Sequence, residues 1–337
     1  MKMDQKERMR KLLCDLQHAL REEICARRDE DAQGALAAVA AESIADTIYL
    51  VDKITEERIL AWFAENWPRE WPVELVMEGA EEHGPLVFPE GVPAERIQWT
   101  CLLDPIDGTR NLMYDKRPAW ALAGIAPRKD GGSTLADLEV AAMTELPPSR
   151  HWRADQLSAV RGRGLVAEAL DLRSGEVFSF SPVPSRATDC RHGFASIARF
   201  FPDGLESLGA LEEALWKRLY PEGAGRSPLV FNDQYLTTGG QLYEMVLGRD
   251  RFLADLRPLV LPRLGLGGAL CCHPYDLAAL LVAEEAGVIV EDPLHGGKLS
   301  APMDTTTSVA WAAYANEAIA DHVRPALRDV LAKFPLS

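Results

Sequence analysis

An apolar segment that ends in two aspartates constrains this chain more than any other feature of its sequence. The stretch is LLDPIDGTRN, residues 102–111, in which a proline and an isoleucine separate Asp104 from Asp107. Two like charges this close repel each other, so they need either a solvated turn or a positive partner. A turn is the ordinary interpretation, because Asp, Pro and Gly each favour turns. Other acids along the chain favour the second interpretation.

The length and composition indicate a folded protein with two lobes. A chain of 337 residues can bury a large core, and 47% of its residues are hydrophobic while 26% are charged. We predict one lobe over residues 1–185 and a second over residues 186–337, since the composition loosens near Pro182 to Arg186. The first lobe is expected to be α+β and to carry most of the metal ligands. The second is expected to be α/β and to complete the site.

The charge limits the partners of the protein. The formal net charge is -15, from 36 basic and 51 acidic side chains, which argues against binding to nucleic acid or to an anionic membrane. An anionic substrate then requires a local cation or dipole. The six cysteines are scattered without zinc-site spacing, and no apolar run is long enough to span a bilayer. We therefore expect a cytoplasmic protein.

Hydrophobic periodicity predicts a mixture of helices and strands. The chain opens with an amphipathic helix whose apolar face runs from Met9 to Ile24. DTIYLVD is predicted to be extended up to Asp52, and PVELVM and IQWTCLL are predicted strands. The residues from Leu138 to Phe180 suit antiparallel hairpins. In HPYDLAALLVAEEAG, Asp276 is expected to open a helix that ends at Gly287.

Three groups of acids lie at predicted strand ends or helix starts. They are Glu78, Glu81 and Glu82 in EGAEEHG, then Asp104 and Asp107, and then Asp276. Hard cations such as Mg²⁺ take carboxylate oxygens together with water and phosphate, and two such ions can hold a phosphoryl group between them. The proline of DPID fixes one φ angle, so that the two aspartates and the Ile106 carbonyl can converge. The following DGT can start a helix that presents the amides of Gly108 and Thr109 to an anion.

Each of these features has an ordinary interpretation when it is taken alone. DPxDG is a common turn, Glu81 and Glu82 suit a solvated loop, and Asp276 suits a simple helix cap. All of these ordinary interpretations are improbable together. The sequence therefore favours one divalent-metal site built from separate segments.

These motifs resemble those of the inositol monophosphatase superfamily, the Mg²⁺-dependent and often lithium-sensitive phosphatases that include fructose-1,6-bisphosphatase and 3′-phosphoadenosine 5′-phosphate phosphatase relatives. LLDPIDGTRN matches the Asp-Pro-Ile-Asp-Gly-Thr signature of that family, and PYDLAALLVAEEAG is similar to its second signature, with Tyr275 where tryptophan is usual. TTGGQLYEMVLGRDRF resembles the glycine-opened helix that lines the substrate pocket. The resemblance covers roughly residues 46–291 and implies a layered α/β/α/β/α sandwich.

The resemblance also implies roles for individual residues. Two or three Mg²⁺ ions would be held by Glu78, Asp104, Asp107 and Asp276 and by the carbonyl of Ile106. Thr109 would help to activate the attacking water, together with Glu78 and Asp104, and Gly108, Thr109 and Asp276 would hold the phosphate. The family usually has Gly-Glu-Glu where this chain has MEGAEEH. Glu78 is favoured because it directly follows the apolar run, and Glu81 is its possible partner.

The expected activity is Mg²⁺-dependent hydrolysis of a small phosphate monoester, an inositol phosphate, sugar phosphate or nucleotide phosphate, by in-line attack of an activated water. Fructose 1,6-bisphosphate and a 3′-phosphonucleotide are alternative substrates. A degenerate relative that binds a phosphorylated metabolite without turning it over is the alternative outside enzymes. The resemblance further implies a homodimer.

Overall fold

Two β-sheets with helices on their faces form five layers in the computed structural model. The structure describes residues 4–30, 39–42, 47–80, 86–223 and 227–333, and for residues 29, 30, 39–42 and 47–54 it describes the backbone alone. The helices of this part of the chain are α1 (Gln5–Glu30), α2 (Leu50–Asn66), α3 (Thr109–Met113), α4 (Leu205–Leu219), α5 (Thr238–Val246), α6 (Arg257–Val260), α7 (Leu280–Ala286) and α8 (Glu317–Lys333).

The larger sheet has eight strands in the order β10-β9-β8-β7-β6-β5-β3-β4. Its strands are β3 (Val73–Met77), β4 (Leu86–Phe88), β5 (Trp99–Asp107), β6 (Ala119–Pro127), β7 (Val140–Leu146), β8 (Arg153–Val160), β9 (Leu165–Asp171) and β10 (Val177–Ser179). All of its neighbouring strands are antiparallel except β3 and β5, which run parallel. The predicted antiparallel hairpins of the middle region are thus confirmed.

The second sheet has five strands in the order β12-β11-β13-β15-β14. They are β11 (Gly193–Ile197), β12 (Val230–Phe231), β13 (Asp250–Asp255), β14 (Ile289–Glu291) and β15 (Trp311–Tyr314). A further small pair consists of β1 (Val39–Glu42) and β2 (Thr47–Tyr49). The predicted lobe boundary at residues 185 and 186 lies between the strands of the two large sheets, and that boundary stays a prediction.

Three hydrophobic clusters separate the layers. Helices α1 and α2 pack on the outer face of the larger sheet, and the buried α1 residues Met9, Leu13, Leu16 and Leu20 confirm the predicted apolar face. Helices α5 and α7 lie between the two sheets. Helices α4 and α8 cover the far face of the second sheet. The expected α+β sandwich is therefore confirmed.

Burial on both faces explains the apolar composition of the central strands. Every residue of β5 and β7 is buried, and so is β6 up to Ala126, because helices cover both sides of the sheet. At Gly124 the covering is so close that an added Cβ would lie 2.2 Å from the carbonyl oxygen of Ala278. The segment that carries Asp276 thus packs directly on β6.

Two predicted elements end differently in the structure. The extended segment expected up to Asp52 stops at Tyr49, and α2 begins at Leu50, because the helical period of the following residues reaches back over that segment. The helix expected from Asp276 is divided. Residues Tyr275–Leu277 form a 3₁₀ turn, and α7 follows and ends at Gly287 with a φ of 96°, as predicted for a terminal glycine.

Candidate active site

The parallel pairing of β3 with β5 brings the first two acidic groups together. Met77 is paired with Leu103, and the amide of Glu78 donates a hydrogen bond to the Leu103 carbonyl at 3.3 Å. Glu78 therefore lies beside Asp104 at the end of the parallel pair, close enough for the two carboxyl groups to raise the pKa of Asp104. This supports the choice of Glu78, which directly follows the strand. Glu81 and Glu82 lie outside the described residues.

A β-bulge, rather than a turn, carries the DPID stretch. Strand β5 continues to Asp107, with Asp104 opposite Leu122 and Asp107 opposite Trp120, so β5 has one residue more than β6 between these pairs. Pro105 has no N–H to donate to a ladder, and a bulge is one of the few places where a strand tolerates proline. The expectation that the strand ends before the motif is therefore wrong. The bulge turns both aspartates towards the same cavity, which both residues line.

Asp107 joins the larger sheet to the start of α5. Its carboxylate accepts hydrogen bonds from the Thr237 hydroxyl at 2.6 Å, the Gly239 amide at 2.5 Å and the Thr238 amide at 3.3 Å. The Thr237 hydroxyl also accepts a bond from the Gly240 amide and so caps the helix. An added Cβ at Gly239 would lie 3.0 Å from the Asp107 carboxylate, so this contact depends on glycine.

Asp276 reaches the same place from the 3₁₀ turn. Its carboxylate accepts a hydrogen bond from the His273 amide at 2.6 Å. The imidazole of His273 stacks on Tyr275 with ring centroids 5.2 Å apart and shares a hydrogen bond with the Tyr275 hydroxyl. His273 thus positions Asp276.

The carboxylates of Asp104, Asp107 and Asp276 have oxygen atoms that all lie within 4.8 Å of one another. The donors are all hard oxygens, and the three carboxylates come from separate segments at the wall of one cavity. Such a set fits a hard divalent cation. The three residues could therefore hold a metal ion, as the sequence predicted.

Burial and mutual repulsion disfavour the charged forms of these acids. The pKa of Asp104 is raised well above its usual value, first by burial and then by the nearby Glu78, Asp107 and Asp276. Burial also raises the pKa of Asp276, with the Asp107 charge acting in the same direction. Burial raises the pKa of Asp107 to about 6, although its three hydrogen-bond donors act in the opposite direction. A bound cation would replace the protons that these groups otherwise retain.

Stability should therefore depend on pH and on Mg²⁺ together. Because the folded pKa values are raised, the folded chain binds protons more tightly than the unfolded chain does. The resulting stabilisation is fully present below about pH 3.9 and is lost as the pH rises through the folded values, about 6 for Asp107. Saturating Mg²⁺ should add about 2–3 kcal/mol to the free energy of unfolding at about pH 8 and much less at about pH 5. Urea unfolding in EDTA and in Mg²⁺ at both pH values measures this.

Two variants control that measurement. Asp276→Asn should remove most of the Mg²⁺ effect, whereas Asp130→Asn, which removes an exposed carboxylate from a loop, should keep it. A Mg²⁺ stabilisation of the same size in Asp276→Asn would show that the ion binds elsewhere.

Gly108 and Thr109 follow the acids directly. Gly108 has a φ of 90°, and a Cβ there would lie 3.1 Å from Thr237 and 3.2 Å from the Leu236 carbonyl, so glycine is required. Thr109 begins α3, as predicted, and its hydroxyl donates a hydrogen bond to the Ile106 carbonyl at 3.0 Å. That carbonyl keeps a second lone pair. Both residues line the cavity.

The sequence did not reveal two parts of the site. The TTGG segment was identified as a helix start, but nothing in the sequence indicated that Thr237, its N-cap residue, donates a hydrogen bond to Asp107. Arg257 is 5% exposed and lines the cavity, where its guanidinium lies 4.9 Å from the ring centroid of Phe200. No sequence signal marks it. Asp255 binds it through both carboxylate oxygens.

Several solved structures share this arrangement of sheets and helices. Fructose-1,6-bisphosphatase of Leishmania major has a TM-score of 0.65 at 13% identity, over 94% of this chain and 92% of that one. SuhB of Mycobacterium tuberculosis has a TM-score of 0.61 at 17% identity, over 97% and 98%. A Pyrococcus horikoshii protein with similarities for inositol-1 monophosphatase has a TM-score of 0.56 at 19% identity, over 91% and 94%.

No family model and no curated protein sequence matches this chain. The solved structures therefore show the fold, which this chain shares with them over almost its whole length. At the level of the fold, the resemblance stated from the motifs is confirmed. Within the described residues, no helix is both long enough and apolar enough to cross a membrane.

Proposed function

We propose that the chain is a Mg²⁺-dependent phosphatase of the inositol monophosphatase superfamily, which hydrolyses a small phosphate monoester. The observation that carries this proposal is the convergence of Asp104, Asp107 and Asp276 to within 4.8 Å at a cavity wall. The shared fold supports the phosphatase class. A homodimer, which the resemblance implies, and a cytoplasmic location, which the composition of the chain indicates, belong to the same proposal.

The ligand set proposed for two or three Mg²⁺ ions contains Glu78 and the Ile106 carbonyl besides the three aspartates. Bound magnesium would supply Lewis-acid stabilisation of the charge that develops on the phosphoryl and leaving-group oxygens. Glu78, beside Asp104, would take the place of a glutamate of the family's usual Gly-Glu-Glu segment. Glu81 remains its proposed partner. This placement of Glu78 weakens the alternative of a degenerate binding protein, whose support was the altered acidic motif.

The chain's own residues would position the reactants. Thr109 would orient the attacking water through its hydroxyl, which the hydrogen bond to the Ile106 carbonyl holds in place. Glu78 would accept the proton of that water. The amides of Gly108 and Thr109 would bind the phosphate, whose phosphorus would then be attacked in line, without a phosphoenzyme.

A phosphate-release assay tests the proposal. The purified chain should release phosphate from one or more members of a panel of inositol monophosphates, sugar phosphates, fructose 1,6-bisphosphate and 3′-phosphonucleotides. The release should require Mg²⁺ and stop in EDTA, because the acids repel both one another and the substrate when no cation is bound. Calorimetric binding of these compounds in Mg²⁺ without any phosphate release would instead favour the binding protein.

A further inference from the structure

Part of the candidate active site is apolar. Besides the acids and the residues proposed to bind phosphate, the cavity is lined mostly by hydrophobic side chains, here called the apolar wall: Phe200, Phe201, Leu236, Leu270, Cys271 and Tyr275. The cavity measures about 90 Å³, whereas pockets that enclose a whole small ligand measure roughly 300–1,000 Å³. A phosphate at the acids therefore fills most of the cavity, and the alcohol part of the substrate extends towards its opening.

Phe200 and Phe201 give the apolar wall an accessible ring surface. Both line the cavity and both are half-buried, so part of each ring is exposed. Their ring centroids are 6.1 Å apart in an edge-to-face arrangement. The guanidinium of Arg257 lies over both rings, 4.9 Å and 5.4 Å from their centroids, and Asp255 holds it at 2.6 Å. The rings are thus in place before a substrate binds, which reduces the entropy lost on binding.

The loop that carries the two phenylalanines is anchored at both ends. Before them, the Arg199 amide donates a hydrogen bond to the Gln234 side chain and the Arg199 guanidinium donates one to Glu212, both at 2.8 Å. After them, Gly204 precedes α4 with a φ of 67°, and an added Cβ there would lie 2.5 Å from the Leu261 side chain. The loop therefore packs closely on its surroundings and holds the rings at the cavity.

The apolar wall offers few partners to the hydroxyl groups of a polyol. Among the described residues that line the cavity, the carboxylates are the acids already proposed as metal ligands, and none carries a side-chain amide. Arg257 donates to Asp255 and, at 3.3 Å, to the Leu270 carbonyl. The Tyr275 hydroxyl shares a hydrogen bond of 3.1 Å with the His273 ring. A polyol would therefore give up hydrogen bonds to water without equivalent replacements, whereas an apolar ring has none to lose.

We propose that the apolar wall selects phosphate esters whose alcohol is an apolar ring, in preference to a polyol. This inference rests on the proposed function and narrows its substrate class. The reacting phosphate lies at the aspartates, and the ring of the alcohol packs on Phe200 and Phe201. That contact removes apolar surface of both the substrate and the protein from water. Polyol phosphates are then slower substrates of the same site.

Two esters with the same carbon ring test the inference. Cyclohexyl phosphate and myo-inositol 1-phosphate share that ring, and the second carries a hydroxyl group on each remaining carbon. These hydroxyl groups withdraw electrons and make inositol the better leaving group, so chemical reactivity alone favours myo-inositol 1-phosphate. In Mg²⁺, kcat/KM should nevertheless be at least about tenfold higher for cyclohexyl phosphate, because apolar contacts in a pocket discriminate by about that factor or more.

Phe200→Ala/Phe201→Ala should bring the ratio of the two kcat/KM values towards one, mainly through a higher KM for cyclohexyl phosphate. The matched control is Phe194→Ala/Phe231→Ala, which removes another pair of rings with centroids 6.1 Å apart, outside the cavity, where both residues are 45% exposed. It should keep the ratio of the intact chain. Thermal unfolding verifies that the variants fold. If the first double variant does not fold, Phe200→Ala and Phe201→Ala made singly should each lower the ratio.

The inference is rejected if the intact chain shows equal kcat/KM values or prefers myo-inositol 1-phosphate. It is also rejected if the ratio is unchanged in the folded variants of the two phenylalanines, because the preference then arises elsewhere. Both outcomes leave the proposed function intact, since phosphate is still released. If neither ester nor any member of the wider panel releases phosphate in Mg²⁺, the proposed function itself fails, and the inference fails with it.

Discussion

Asp104→Asn should abolish Mg²⁺-dependent phosphate release while leaving the fold intact. Asn keeps a side-chain oxygen that can accept the 3.1 Å hydrogen bond from the Ile106 amide. It removes one carboxylate from the three that are proposed to hold the metal. A bound cation contributes several kcal/mol of transition-state stabilisation, so we expect activity to fall by about a thousandfold or more. Initial rates over a Mg²⁺ titration measure this loss.

The same substitution should not destabilise the protein in EDTA. Burial and the nearby Glu78, Asp107 and Asp276 raise the pKa of Asp104 and so favour its neutral form in EDTA, which the neutral Asn resembles. The free energy of unfolding should therefore stay equal or rise by about 1 kcal/mol. Asp130→Asn serves as the control, with full activity and unchanged stability. Full Mg²⁺-dependent activity of Asp104→Asn on any accepted substrate would refute the proposed metal site.

The sequence identified Asp104, Asp107 and Asp276, which the structure brings together, because the segments next to each of them are recognisable. Asp104 and Asp107 follow an apolar run, and Asp276 precedes a helical pattern that ends at Gly287. Each could therefore be identified before its neighbours in space were known. Glu78 could be preferred to Glu81 because strand β3 ends immediately before it. Where a residue's position follows from the elements beside it in the chain, the sequence was sufficient.

Long-range pairing decided what the sequence could not show. Local propensity describes DPID as a turn, but pairing with β6 extends the strand through it, and a bulge accommodates Pro105. Thr237 and Gly239, which donate hydrogen bonds to Asp107, lie about 130 residues further along the chain. No local sequence pattern around Asp107 or around Thr237 predicts that contact.

Arg257→Met should destabilise the protein by about 3–5 kcal/mol, a large part of the stability of an ordinary domain. The guanidinium is 5% exposed and donates to both oxygens of Asp255, at 2.6 Å for the shortest bond, and Asp255 itself is 1% exposed. Its removal leaves a buried carboxylate without its cation. The stacking on Phe200 and Phe201 is lost as well. Urea unfolding measures the change in free energy.

Two comparisons separate loss of the ion pair from loss of packing. Asp255→Leu/Arg257→Met removes both charges and should recover a large part of the lost stability, because a buried pair is costly mainly when it is broken. Arg173→Met breaks the exposed pair with Asp171 and should leave stability almost unchanged, because water and salt screen exposed charges. If Arg257→Met costs no more than Arg173→Met, the pair does not stabilise the fold. If the double variant recovers nothing, the guanidinium acts through its packing on the two phenylalanines that line the cavity wall, and the charge of Asp255 is not the cause.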